Sequence, residues 1–330
     1  MSDNQTTTAS ETQGDKPALS TMLANPRGFC AGVERAITMV EQAIRKYGAP
    51  IYVRHQIVHN QHVVERLEGL GAIFVKELTE VPENGKVIFS AHGVPKKVPE
   101  EAKRRELIYF DATCPLVSKV HRQAEHLVQR GYHILLIGHD GHPEVVGTMG
   151  QVPKGVMTLI ETVEDIEAFE PKDGDKLAFI TQTTLSVDDT ASMVEALITK
   201  FPDVLAPKSE DICYATTNRQ EAIKSIAKAA DLVLVVGAAN SSNSNRLVET
   251  ARDYGAEKAE LIADADAIDW SWFEGVKTLG ISAGASAPEI LVEQVLDALD
   301  ERFNVTRTDV EGEIEDVFFR IPRELERMTA

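Results

Sequence analysis

Short apolar runs alternate along this chain with longer stretches of helical period, and the alternation recurs three times. Residues 51–53, 133–137 and 232–236 are too short and too evenly apolar for helices, so they read as buried strands. Before them, residues 31–47, 115–130 and 214–229 carry apolar side chains at helical spacing. Polar loops follow the strands at 54–60, 138–143 and 237–245. A second helix then begins near Gln61, Glu144 and Arg246, and short strands follow at 72–75, 156–160 and 259–262. The rest of the unit repeats as well. Strands at 86–89, 177–180 and 278–281 run into small polar loops, and helices near 100–105, 188–200 and 289–303 close each copy.

Strand and helix alternating with a period of about 90 residues predict an α/β fold of three small domains with parallel sheets. Pseudo-threefold symmetry would arrange them around one centre. The copies span 22–113, 114–212 and 213–304, and the strand near 22–29 is expected to complete the third sheet and close the ring. Residues 1–21, rich in Ser, Thr, Asp, Glu and Gln, read as a disordered extension without a signal peptide's apolar centre. Residues 305–330 read as a tail that packs on the body through Val317, Phe318 and Phe319. In parallel sheets ligands bind beyond the carboxyl ends of the strands, which here places six polar loops around the centre.

The formal charge of −18 argues against a general nucleic-acid or anionic-membrane binder. No apolar stretch approaches a membrane span. Three cysteines disfavour a purely disulfide framework, and the expected compartment is the reducing cytoplasm.

Cys30, Cys114 and Cys213 occupy the same place in the three copies, each ending a strand-like run and opening a helix. Their separations, 84 and 99 residues, are too long for a zinc finger or a Cys-x-x-Cys motif. A single such cysteine is as readily a small buried hydrophobe. Three at equivalent positions suit an array aiming three thiols at one point, where helix N-termini favour the metal-binding thiolate. Zinc with a histidine or carboxylate as fourth ligand is one reading. An iron–sulfur cluster with one open iron is the favoured one.

Three loop histidines form the next constellation: His59 and His142 in the first loops of copies one and two, and His92 in the second loop of copy one. Converging on a pocket, they suit hydrogen bonding to an anion, more strongly when protonated. His55, His62, His121, His126 and His133 lack that placement, and His139 stays undecided. The run Ser241-Ser242-Asn243-Ser244-Asn245, with Ser286 in a later loop, reads either as helix capping or as an anion site for a diphosphate. No P-loop lysine motif and no GxGxxG fingerprint accompanies it, which disfavours ATP and NAD. Glu144, just after His142-Pro143, is either a favourable charge in a first helical turn or a proton donor, with Thr183 able to hold a water or hydroxyl beside it.

Nine ordered motifs, among them Asn-Pro-Arg-Gly-Phe-Cys30-Ala-Gly, Ser90-Ala-His92-Gly-Val, Asp-Ala-Thr-Cys114-Pro, Gly-His-Pro-Glu144-Val, Cys213-Tyr-Ala-Thr-Thr-Asn-Arg-Gln and Ser241-Ser-Asn-Ser-Asn-Arg, closely resemble the 4-hydroxy-3-methylbut-2-enyl diphosphate reductase family of isoprenoid biosynthesis, from about residue 23 to 303. The resemblance implies a trefoil-like arrangement of the three domains around a 4Fe–4S cluster on Cys30, Cys114 and Cys213, with one iron lacking a cysteine ligand and a three-iron form arising on oxidation. It implies a small allylic diphosphate as substrate, its diphosphate held by His59, His92, Ser241, Asn243 and Ser286 with His142 and Ser242 nearby. Glu144, Thr183 and His142 are implied as catalytic, and reduced flavodoxin or ferredoxin as the electron donor. The products implied are isopentenyl and dimethylallyl diphosphates. Two readings compete with it: a quinolinate-synthase-like dehydratase using its cluster only as a Lewis acid, and a non-enzymatic iron–sulfur sensor, which would need no enclosed polar pocket.

Overall fold

The computed structural model describes residues 16–326. The chain begins with β1 (Ala18–Leu23), α1 (Ala31–Tyr47), β2 (Ile51–Arg54), α2 (Gln61–Leu70), β3 (Ala72–Val75), β4 (Lys86–Phe89), α3 (Lys97–Arg104) and β5 (Ile108–Asp111). It continues through α4 (Pro115–Gln129), β6 (Tyr132–Ile137), α5 (Pro143–Met149), β7 (Met157–Ile160), α6 (Val163–Ala168), β8 (Lys176–Thr181) and α7 (Val187–Lys200). The last third holds α8 (Tyr214–Ala227), β9 (Leu232–Val236), α9 (Ser242–Asp253), β10 (Lys258–Ile262), β11 (Thr278–Ala283), α10 (Glu289–Arg302), β12 (Asn304–Asp309) and α11 (Arg323–Glu326).

These strands form three sheets, ordered β3-β2-β4-β5, β7-β6-β8 and β10-β9-β11-β1-β12, and every paired strand is parallel. Helices cover both faces of each sheet, and the central strand β9 is apolar throughout. All five residues of β9 are buried. Leu232 and Leu234 pack toward Leu291 and Val295 of α10, while Val233 and Val235 pack toward Ile223 of α8 and Leu247 of α9. In the first domain α1 buries Ala36, Ile37, Met39, Val40 and Ala43 at helical spacing against β2 and β4. Asn60 caps α2 by accepting from the Val63 amide at 3.1 Å, and Gly71 ends it at φ 107°, a conformation open to glycine.

The amino-terminal expectation needs correction. Residues 18–21 belong to β1 and are not a disordered extension, and Lys16 and Pro17 lead into it, bonded to Asp300 and Asn304; residues 1–15 lie outside the described residues. The strand's alternation is plain once its end is known, with Leu19 and Leu23 buried, but the polar stretch before it hides the period. β1 sits between β11 and β12 of the third sheet, with Ser20 opposite both Thr278 and Thr306. Residues 304–309 likewise form a strand, β12, on the sheet edge. Beyond it the chain crosses to the first domain, where Leu325 of α11 enters the core of α1 with Ile321 packed against it; Val317 and Phe318 are exposed, so the tail does not pack through them as expected. Ahead of Cys213 there is no strand, only a single parallel bridge between Ala178 and Leu205, and the second sheet stops at three strands. Among the described residues no helix is long and apolar enough to cross a membrane.

Candidate functional site

The carboxyl ends of the three sheets converge on one cavity of about 110 Å³, lined by all three cysteines, the three loop histidines, Glu144 and Thr183. A larger crevice of about 450 Å³ lies between α2 and the third domain, but it contains none of these groups.

Each cysteine is the N-cap residue of a helix, of α1, α4 and α8 in turn. Each is also tied by its own amide to a loop following a strand of the sheet it leaves. The Cys30 amide donates to the Ala285 carbonyl at 3.3 Å, that of Cys114 to Ala91 at 2.9 Å and that of Cys213 to Thr183 at 3.1 Å. The three copies thereby interlock: β1 belongs to the third sheet, β5 to the first, and the segment before Cys213 leans on the second. Gly32 completes the cradle. A Cβ there would come within 2.7 Å of the Cys114 Sγ and 3.8 Å of the Cys30 Sγ.

Burial, not the helix amides, decides the state of the metal-free thiols. Cys114 is pushed up to about 12, by burial first and by the neighbouring thiols, against the pull of the Leu116 and Val117 amides. Cys213 is pushed up to about 11 by burial and by Cys30, although Thr216 approaches its sulfur with its amide at 3.4 Å and its hydroxyl at 3.2 Å. In the metal-free chain desolvation thus outweighs the helix amides at these two residues, and a bound metal would supply the compensating charge. Among the described residues no group of three or more His, Cys, Asp or Glu is spaced to clasp a single metal ion. A donor set of three sulfurs facing one cavity fits a larger iron–sulfur group, with no fourth cysteine in the chain.

His59, His92 and His142 form a second triplet on the same cavity. Ring centroids lie 4.0 Å apart for His59 and His92, 5.8 Å for His59 and His142, and 6.1 Å for His92 and His142. Burial, reinforced by nearby histidines, lowers all three, His59 and His142 to about 4 and His92 well below its ordinary range. They are neutral, so their tautomers matter. Asn240 donates to the Nδ1 of His59 at 3.2 Å, and the Glu144 amide donates to the Nδ1 of His142 at 3.2 Å. Both imidazoles then carry their proton on Nε2. The Nε2 of His59 is buried without a partner, and so is the Nδ2 of Asn243. Asn243 spends its Oδ1 on the Ala285 amide at 2.8 Å, which leaves its NH₂ free to donate. Orphaned donors gathered at one place fit an anionic ligand.

The serine and asparagine run divides between the two roles considered for it. Ser241 caps α9 by accepting from the Ser244 amide, which starts that helix at Ser242, four residues ahead of the expected Arg246. Asn245 donates back to the Ala239 and Ser241 carbonyls. Asn243 stays available, Ser242 bonds to Thr184, and the Ser286 hydroxyl donates to the His59 carbonyl at 3.0 Å. His139 lies in a neighbouring crevice beside Glu161 and Arg246.

Glu144 is 3% exposed, and both its oxygens are held by one residue. The Thr183 amide donates to Oε1 at 2.7 Å and the Thr183 hydroxyl to Oε2 at 2.9 Å. Burial raises this carboxyl to about 7, with the Thr183 bonds opposing and the Asp211 charge assisting. A carboxyl poised there exchanges protons near neutrality, as a general acid must.

Asn240, Gly32 and Thr216 were missed in the sequence. Asn240 falls one residue before the conspicuous run, and Gly32 and Thr216 lie inside quoted motifs, where only packing reveals what they touch.

Comparison with known proteins places this geometry in a family. The LytB protein family matches residues 21–300. The chain is 64% identical over 310 residues to the 4-hydroxy-3-methylbut-2-enyl diphosphate reductase of Hyphomonas neptunium, covering 94% of this chain and 98% of that one. With the enzyme of the same name from Phenylobacterium zucineum it shares 62% identity over the same fractions. Among solved structures, the E-1-hydroxy-2-methyl-but-2-enyl-4-diphosphate reductase of Plasmodium falciparum superposes with a TM-score of 0.88 at 37% identity, over 95% of this chain and 98% of that chain. The chain belongs to the LytB family and, with it, to the oxidoreductases.

Proposed function

We propose that this chain reductively removes the allylic hydroxyl of 4-hydroxy-3-methylbut-2-enyl diphosphate, at a 4Fe–4S cluster held by Cys30, Cys114 and Cys213. The carbon–oxygen bond breaks, a carbon–hydrogen bond forms and the oxygen leaves as water. Two electrons and two protons balance the step, and isopentenyl and dimethylallyl diphosphates are the two products. When bound, the cluster would supply the electrons and a Lewis-acidic iron without a cysteine ligand. A reduced flavodoxin or ferredoxin would replenish those electrons.

The protein's own residues would do the rest. His59, His92, Asn243, Ser241 and Ser286 would hold the diphosphate, with His142 and Ser242 beside them, fixing the carbon skeleton. Glu144 would protonate the leaving oxygen, with Thr183 orienting the carboxyl and passing the proton. The observation that carries this reading is the buried Glu144–Thr183 pair opening on the same cavity as the three thiols. A sensor would have no use for an acid poised near neutrality. Three domains at 22–113, 114–212 and 213–304 remain the boundaries proposed, with β1 counted to the third sheet.

The test is product analysis. Protein reconstituted anaerobically with iron and sulfide, and given a chemical reductant with the diphosphate, should yield the two named products. Loss of water without consumption of reductant would overturn the reading in favour of a Lewis-acid dehydratase.

A further inference from the structure

A cation sits at an equivalent point in each copy, and each holds the residues just ahead of the cysteine that opens the next copy. Arg35, Lys119 and Arg219 stand five, five and six residues beyond Cys30, Cys114 and Cys213. The Arg35 guanidinium donates to the Ala112 and Thr113 carbonyls at 3.3 and 3.2 Å, immediately ahead of Cys114. Lys119 donates to the Glu210 carbonyl at 2.8 Å and lies 3.5 Å from the Asp211 carboxylate, just ahead of Cys213. Arg219 donates to the Gly28 and Phe29 carbonyls at 2.9 and 3.1 Å, immediately ahead of Cys30. The circuit closes in one direction around the site.

The carboxyl-terminal segment engages two members of the circuit. Arg219 is fully buried and spends all five N–H groups: two on Gly28 and Phe29, one on the Ala215 carbonyl and two on the Glu315 carboxylate, at 2.9 and 3.3 Å. Asn218 supports Glu315 at 3.1 Å. Further on, the Arg320 carbonyl accepts from Arg35 at 2.9 Å, and Leu325 anchors the segment in the core of α1. A guanidinium buried that deeply needs its counter-charge, and its planar fork fixes the direction of every acceptor it holds.

We propose that Arg35, Lys119 and Arg219 are positioning residues, each fixing the thiol of the following copy, and that the segment carrying Glu315 and Arg320 locks two of them. The proposal rests on the reading of the cysteines as cluster ligands only for its purpose, because the geometry it concerns exists in the metal-free chain. Neither arginine touches a thiol directly. Each sets where a cysteine's main chain sits, and so whether three sulfurs meet one cluster.

Alkylation of the individual cysteines in the metal-free protein, followed by mass spectrometry, is the decisive measurement. Arg35→Lys should speed labelling of Cys114, Lys119→Met that of Cys213 and Arg219→Lys that of Cys30. Each rise should be about tenfold, as expected when charge-assisted bonds are lost. The cysteine preceding each substituted cation should change far less. Should Arg219→Lys fail to fold, Glu315→Gln tests the same corner by removing the counter-charge, and it too should expose Cys30 first. On the loaded protein, iron release to a chelator should quicken in every variant that folds. Uniform labelling of all three cysteines, or faster labelling of the cysteine preceding each cation, would overturn the proposal. If the wild-type chain binds no iron while the labelling pattern holds, the circuit stands and the ligand reading falls.

Discussion

Three thiols and three imidazoles face one cavity, and burial treats them in opposite senses. It raises Cys114 and Cys213 and lowers His59, His92 and His142, so that all five are uncharged near neutral pH. On the function proposed, the thiol side would have to lose protons to take up a cluster, whereas the imidazole side would hold an anion through N–H groups already in place. Linkage gives each side its own window. The raised thiols contribute stability that is complete below about 9 and lost as pH climbs toward 11 and 12. The lowered histidines contribute stability that is complete above 6.5 and lost as pH falls through about 4. The metal-free cavity is thus built for the interval between, and metal loading should quicken toward its alkaline end.

The most drastic way to break this comparison is to remove one member of the sulfur side. Cys30→Ser, Cys114→Ser or Cys213→Ser should abolish reduction and leave little iron and sulfide bound after anaerobic reconstitution, while diphosphate binding by the histidine side survives. Full iron and sulfide content in all three variants would show that the thiols are not the ligands.

Glu144→Gln comes next. The amide can still meet both Thr183 groups, so the cluster should load and substrate should bind, yet turnover should fall at least about 10²-fold. The wild-type rate should decline above the carboxyl's titration near 7, and the variant should lose that limb. Stability should fall over the same pH range. The folded chain holds this proton more tightly than the unfolded one, so the carboxyl's contribution is complete below 4.5 and lost as pH rises through about 7. The gap amounts to about 3 kcal/mol, and denaturation at pH 8 should find Glu144→Gln the more stable protein.

On the imidazole side, His92→Ala or Asn243→Ala should weaken diphosphate binding by roughly 10- to 100-fold, the loss of one donor to a charged oxygen. Cluster content should not change. Unaltered affinity in both variants, measured by calorimetry with inorganic diphosphate, would move the anion site elsewhere.

The smallest effect is the most specific. Asn240→Ala removes the donor to the Nδ1 of His59, together with its bond to Gln56. Binding should weaken about three- to tenfold, the worth of an ordinary hydrogen bond, with kcat unchanged. A change in kcat instead would tie His59 to the chemistry.

What the sequence revealed follows from the range over which each signal acts. Periodicity is local, so 31–47, 72–75 and 86–89 carried the bounds of α1, β3 and β4 without any knowledge of partners. The common placement of the three cysteines was legible because repetition itself encodes it. The protonation states of Cys114 and His92 were not, since burial depends on chain segments far away in sequence. The start of β1 was hidden for a related reason: six residues with only two deeply buried leucines look unremarkable beside a polar stretch until β11 and β12 flank them. Arg219 stood inside a quoted motif, yet nothing local reveals that its guanidinium lies against Gly28, 191 positions away.

The place of β1 also sets a timetable. During synthesis the strand that leads to Cys30 emerges long before its neighbours, since Ser20 must wait for Thr278 and Thr306. At the usual pace of about 5–20 residues per second, that delay is on the order of tens of seconds. Through all of it the first cysteine has left the ribosome without the sheet that will aim it. On the function proposed, iron and sulfide arriving early would meet a chain unable to present three sulfurs together, so delivery of the cluster would have to wait until β11 and β12 are made.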